Sequence, residues 1–240
     1  MKQFGAWLVH AYTALGLLCA AVLVLLIARG TEESLRSSLF LFLLANVIDG
    51  TDGVLARKAQ VKQVIPHFDG RRLDDLIDFL TYTFLPLFFL AQSHALAPYS
   101  PAFLMLPLLA SAYGFCQVHA KTHDGYFLGF PSYWNWVALY IFLLKPAPWI
   151  ALSVLMGLSV LTFVPTRYFY PSQSGRWNRL ALYLCCLWGF WAVPLVVASA
   201  YSLENQIPGL VVSSLWYPAF YVFGSFVLHL SLPRRNASTR

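Results

Sequence analysis

The sequence predicts an all-α membrane protein, a polytopic bundle of about eight transmembrane helices. Three observations lead there. Hydrophobic residues make up 59% of the chain and charged residues only 11%, a balance outside the range of water-soluble domains. Apolar runs of about 20 residues, the length a helix needs to cross a bilayer, recur along the chain. The basic residues between these runs fall almost entirely into alternate loops.

The runs place spans at roughly 6–28, 35–57, 71–92, 99–118, 130–144, 149–165, 178–200 and 209–231. The first is long and is not closed by a small-residue cleavage site, so it reads as a span and not as a removed signal. The second and third carry five of the ten acids. The fifth has the shortest apolar stretch, Tyr133 to Leu144, and Lys145-Pro146-Ala147-Pro148 requires a tight hairpin before the sixth. Merging the fifth and sixth would leave seven spans. Charge decides for eight. With both termini inside, Lys2, Arg57, Lys58, Lys62, Arg71, Arg72, Lys121, Arg167, Arg176, Arg179, Arg234, Arg235 and Arg240 share one side, leaving Arg29, Arg36 and Lys145 opposite. Positive residues stay cytoplasmic.

The formal charge of +6 therefore reads as membrane orientation and contact with anionic headgroups, and not as nucleic-acid binding. Cys19, Cys116, Cys185 and Cys186 lie inside spans without zinc-ligand spacing, and no disulfide framework is expected. Without linkers, long repeats or low-complexity segments, residues 1–240 form a single domain.

Six of the ten acidic residues fall between positions 49 and 78: Asp49, Asp52, Asp69, Asp74, Asp75 and Asp78. Carboxylates at membrane depth are costly and mark function. At about 100° per residue, Asp49, Asp52, Gly53, Ala56 and Arg57 share one helical face, and Gly70, Asp74 and Asp78 form a second stripe. Two facing helices would bring four carboxylates together beside two glycines and an arginine, a cation site with room for a ligand. A single buried aspartate is explained by a helix–helix hydrogen bond, but four like charges at close range need cations. A solvated face is excluded by the intervening Val54, Leu55, Leu73, Leu76, Ile77 and Phe79. Asp75 points about 100° from Asp74 and reads as a salt-bridge partner, while Asp69 can cap the third span.

The pattern Asp49-x2-Asp52-Gly53-x2-Ala56-Arg57, then Gly70-x3-Asp74-x3-Asp78, resembles the signature of the CDP-alcohol phosphotransferase family at all eight positions. Twelve residues, 58–69, separate the two halves, more than most members have. That longer loop, with "LDDLIDFLTYTFLP" and "DGYFLGFPSYWNW", resembles the bacterial branch that condenses CDP-diacylglycerol with free choline and releases CMP. The resemblance implies a bacterial inner-membrane enzyme of phospholipid synthesis, with the site at the cytoplasmic leaflet, often a homodimer.

By similarity Asp49, Asp52, Asp74 and Asp78 are metal ligands, and Asp78 is also the general base. Asp49, Asp52, Gly53, Ala56, Arg57 and Gly70 would hold the CDP-lipid. Gly53 and Ala56 would admit the nucleotide, and Arg57 would fork onto a phosphate. A diphosphate cannot approach carboxylates without divalent metal, and a pair of ions about 3.5–4 Å apart suits the chemistry. Oxygen donors favour Mg²⁺ or Mn²⁺ over zinc.

Choline needs aromatic faces and no arginine pair. Tyr82, one turn beyond Asp78, and Tyr126, Trp134 and Trp136 in the "GYFLGFPSYWNW" stretch are the cage candidates, although interfaces enrich these residues anyway. His119 and His123 have metal-pair spacing but no accompanying ligand set. Arg167, Arg176 and Arg179 argue for a phosphorylated acceptor unless orientation alone explains them. The competing readings are thus the same chemistry with serine, inositol phosphate or glycerol phosphate, and a cation transporter. The transporter would be expected to show inverted repeats and broken helices, and the sequence has neither.

Overall fold

A computed structural model describes residues 2–122, 124–171, 173–200 and 207–231. Two long helices open the chain, α1 (Lys2–Arg29) and α2 (Glu32–Lys58), and they pack along each other. In α1 the buried residues Ala6, His10, Thr13, Gly16, Ala20, Leu23 and Ile27 step by three or four and form one stripe. The stripe includes small and polar groups, as helix contacts within a bilayer require. Thr31 caps α2, its side chain accepting from the Ser34 N–H at 3.2 Å.

The connection 58–69 is not a bare loop. It contains a single turn, α3 (Val61–Val64), whose Val61 packs with Ile65 and Ala6 in a small cluster that also takes in Phe68. The next pass is one helical path in three pieces. It runs through α4 (Gly70–Asp78), a π-helical stretch (Phe79–Phe84) and α5 (Leu85–Gln92). Pro86 has no N–H for the Tyr82 carbonyl, and a widened turn is one way a helix absorbs that loss. Asp69 caps α4 as expected, accepting from the Arg72 N–H at 3.2 Å, and Asp75 lies 3.9 Å from Arg71.

A 3₁₀ turn (Pro101–Leu104) leads into α6 (Met105–Cys116), which packs on α8 (Pro148–Phe163). Between them, α7 (Trp134–Leu144) has eleven residues, about 16 Å of helix. This corrects the expected fifth span. Residues 130–133 are not helical; they belong to a buried, irregular segment that enters the bundle before α7 begins. Gly129 explains the shape. It sits at φ +82, and a side chain there would run into the Thr162 carbonyl. The segment's backbone is satisfied by neighbours, with the Gly129 and Phe130 N–H groups donating to Thr166 and Leu161 carbonyls at 3.0 and 3.1 Å. Irregular backbone at membrane depth is tolerated on that condition. A two-residue antiparallel pair, β1 (Phe127–Leu128) with β2 (Arg167–Tyr168), ties this segment to the chain beyond α8.

The helices α9 (Arg176–Ala200), α10 (Ile207–Ser214) and α11 (Trp216–Ser231) complete the bundle. Among the described residues, Lys2–Arg29, Glu32–Lys58, Arg176–Ser199 and Gly209–Ser231 are long and apolar enough to cross a membrane; Pro101–Cys116, Trp134–Leu144 and Pro148–Phe163 are shorter apolar helices. The molecule is a multi-pass helical membrane protein. Glu32 gathers Arg36 at 2.7 Å and Lys145 at 3.6 Å, so the α1–α2 and α7–α8 turns lie at one end. This is the grouping that the loop charges imply. Arg234, Arg235 and Arg240 lie outside the described residues.

Candidate active site

The two acidic stripes face each other. Oxygens of Asp49 on α2 and of Asp74 and Asp78 on α4 all lie within 4.8 Å of one another, each residue half-buried. Regular helix through both stretches makes this possible, because any break before Asp78 would rotate one stripe away. The π-helical stretch begins immediately after Asp78, so the stripe is intact where it matters.

Asp52 is buried, at 6% exposure, and stands apart from that trio. The Thr13 hydroxyl of α1 donates to its Oδ2 at 2.7 Å. It is also in side-chain contact with Asp74, as Asp49 is with Asp78. The carboxylates thus form two cross-helix pairs. Ionised, each pair repels, and a divalent cation between the oxygens removes that repulsion. The donor set is all oxygen, and the three clustered carboxylates fit a hard cation. Tyr82 holds the outer side of Asp49, its hydroxyl donating to Oδ2 at 2.6 Å.

The two signature glycines differ. A Cβ at Gly70 would collide with the His10 ring, so its missing side chain accommodates a neighbour within the fold. His10 is buried against Phe68, with ring centroids 4.5 Å apart. At Gly53 the nearest atom to a Cβ is Arg57 Nη1 at 3.5 Å, ordinary contact. The chain's own packing therefore does not require glycine there. Arg57 lies back over Gly53, exposed, and Ala56 is half-buried against the α3 cluster.

The four residues expected to cage an ammonium do not come together. Tyr82 is at the carboxylates. Tyr126 directly precedes β1, its N–H donating to the Thr122 hydroxyl, and it is near Asp124 and Arg167. Trp134 is fully enclosed, its N–H donating to Ser111 at 2.6 Å and its ring against Phe130, so it belongs to the core and is withdrawn from the cage. Trp136 packs on Trp188, 4.4 Å between centroids. Of the paired histidines, His123 lies outside the described residues. Two of the three loop arginines are turned elsewhere: Arg167 Nε is 3.9 Å from Asp124, and Arg176 lies over Trp177.

Sequence reasoning missed Thr13, His10, Tyr133 and Lys121. Tyr133 lies 6.1 Å from the Tyr82 ring, and Lys121 is in electrostatic reach of Asp49 and Asp74. A signal existed for the first two. They are polar residues three apart inside an otherwise apolar span, which asks for a polar partner.

A multi-pass helical bundle with this aspartate constellation defines a membrane enzyme of the CDP-alcohol phosphotransferase type. No family model matches the chain. It is 34% identical over 228 residues to a phosphatidylcholine synthase of Pseudomonas aeruginosa, covering 93% of this chain and 90% of the relative. Identity is 34% over 236 residues to that of Legionella pneumophila (94% and 89%) and 32% over 241 residues to that of Brucella melitensis (98% and 84%). The chain belongs to the phosphatidylcholine synthase family.

Proposed function

We propose that this protein is a phosphatidylcholine synthase, transferring the phosphatidyl group of CDP-diacylglycerol to choline and releasing CMP. The observation that carries the reading is the convergence of Asp49, Asp74 and Asp78 oxygens within 4.8 Å, in a chain of this family.

Asp49, Asp74 and Asp78 would hold one divalent ion, and Asp52 with Asp74 a second. Mg²⁺ or Mn²⁺, when bound, supplies neutralisation of the diphosphate and of the charge building on departing CMP. Gly53 leaves the face of α2 open to the nucleotide, and Arg57 forks onto a phosphate. The choline hydroxyl attacks the lipid-side phosphorus, its proton passing to the Asp78 carboxylate as the bond from phosphorus to the CMP oxygen breaks. A base must reach the reacting hydroxyl within hydrogen-bond distance, and Asp78 sits in the trio where the two substrates would meet. Tyr82 and Thr13 orient Asp49 and Asp52.

Arg167 set against Asp124 supports an acceptor without phosphate, since the half-buried guanidinium already has an acidic neighbour. The whole chain acts as one domain in the bacterial inner membrane, both termini and the carboxylates towards the cytoplasm, as a homodimer. Loop charge and the supply of CDP-linked lipid and soluble alcohol support that orientation. Purified protein given CDP-diacylglycerol and a panel of choline, serine, inositol phosphate and glycerol phosphate tests the reading. It requires phosphatidylcholine and CMP in equal amounts; product from serine and none from choline overturns it.

A further inference from the structure

Aromatic residues outside the aspartate signature border the carboxylates on one flank. Tyr82 donates to Asp49, and its ring centroid lies 6.1 Å from that of Tyr133. Tyr133, brought in by the irregular segment before α7, lies 5.6 Å from Tyr221 and within the electrostatic field of Asp49. Tyr170, just past β2, presents its ring to the Lys121 ammonium at 5.6 Å, and that ammonium is within reach of Asp49 and Asp74. An alkylammonium group therefore already faces an aromatic ring within the field of the acids. Arg167 and Arg176 are directed to Asp124 and Trp177.

We propose that Tyr82, Tyr133 and Tyr170 form the site for the acceptor's quaternary ammonium, an assignment that rests on choline being the acceptor. A trimethylammonium group has no N–H to donate. It is held by ring faces and by the field of nearby carboxylates; Tyr82 bonded to Asp49, Tyr133 against the Tyr82 ring and Tyr170 already facing an ammonium supply both. Choline carries its hydroxyl two carbons from the nitrogen. A cation seated on these rings thus delivers the hydroxyl among Asp49, Asp74 and Asp78. The site also discriminates. Serine would bring its own carboxylate towards the aspartates, and inositol phosphate would bring a dianion beside the same carboxylates in place of a cation.

Tetramethylammonium, which has the cation and lacks the hydroxyl, is the direct probe. With full-length protein in nanodiscs containing CDP-diacylglycerol and Mn²⁺, it should inhibit competitively against choline, and its binding should register separately by calorimetry. Tyr170→Leu should weaken tetramethylammonium binding and raise the choline KM by about tenfold, with the CDP-diacylglycerol KM and kcat within about twofold. Tyr170→Phe should keep the wild-type values, because the ring face is what binds. Unchanged tetramethylammonium affinity in Tyr170→Leu overturns the proposal, as does a Tyr170→Phe variant as weak as Tyr170→Leu. Tyr133→Leu makes the same test from the buried side; should it fail to fold, the half-buried Tyr170 still decides. A wild-type protein that uses serine and ignores choline and tetramethylammonium would instead refute the choline reading itself.

Discussion

Thr13→Val isolates one interaction. The Thr13 hydroxyl donates to Asp52 at 2.7 Å, both residues are buried, and valine preserves the shape while removing the donor. A hydrogen bond to a charged group is worth about 1.5–3 kcal/mol. Asp52 belongs to the cross-helix pair with Asp74, so its loss of orientation should be read in metal affinity. At 1.4 kcal/mol per decade, the half-saturating Mn²⁺ concentration should rise about tenfold to a hundredfold, the range expected when a partner of a metal ligand is removed. The assay is phosphatidylcholine formation at saturating CDP-diacylglycerol and choline across a Mn²⁺ titration, with Mn²⁺ binding followed by electron paramagnetic resonance. Thr13→Ser, which keeps the donor, should stay within about twofold of wild type. Should Thr13→Val leave both titrations unmoved, or Thr13→Ser lose as much as Thr13→Val, the positioning argument is wrong.

Gly70→Ala should lower thermal stability by about 1–3 kcal/mol through overpacking on His10, and adding His10→Ala should recover a large part, a coupling that thermal melts of the single and double variants measure. Gly53→Ala meets only Arg57 at 3.5 Å, so its melting temperature should match wild type while its CDP-diacylglycerol KM rises at least severalfold; a destabilised variant with normal KM would contradict the assignment. Asp78→Asn should abolish turnover and keep metal-dependent binding of CDP-lipid, measured with a non-reactive analogue; loss of binding would make Asp78 chiefly a ligand.

The aspartate site was legible because α2 and α4 are regular helices up to Asp78, so residues three and four apart in sequence stay on one face. Periodicity also carried the stripe on to Tyr82, since that residue reaches Asp49 even through the π-helical stretch. Partners on other helices were not legible. Nothing local in α1 says that Thr13 faces Asp52 or that His10 fills the space left at Gly70, because such pairings depend on the packing of two spans. The fifth span misled for a related reason. Gly129-Phe130-Pro131-Ser132-Tyr133 is apolar enough to pass for helix, and only the contact of Gly129 with the Thr162 backbone shows that it enters as buried loop. The same segment explains Trp134 and Tyr133. Hydropathy makes Trp134 an interfacial aromatic and Tyr133 only the start of an apolar run, whereas the turn buries Trp134 on Phe130 and Ser111 and brings Tyr133 beside Tyr82.

Anomalous scattering from crystals of the protein grown with Mn²⁺ is the most direct measurement. A manganese peak bounded by the carboxylate oxygens of Asp49, Asp74 and Asp78 is the predicted result. Protein that synthesises phosphatidylcholine at full rate with Mn²⁺ and yet shows no peak between α2 and α4 would contradict the account.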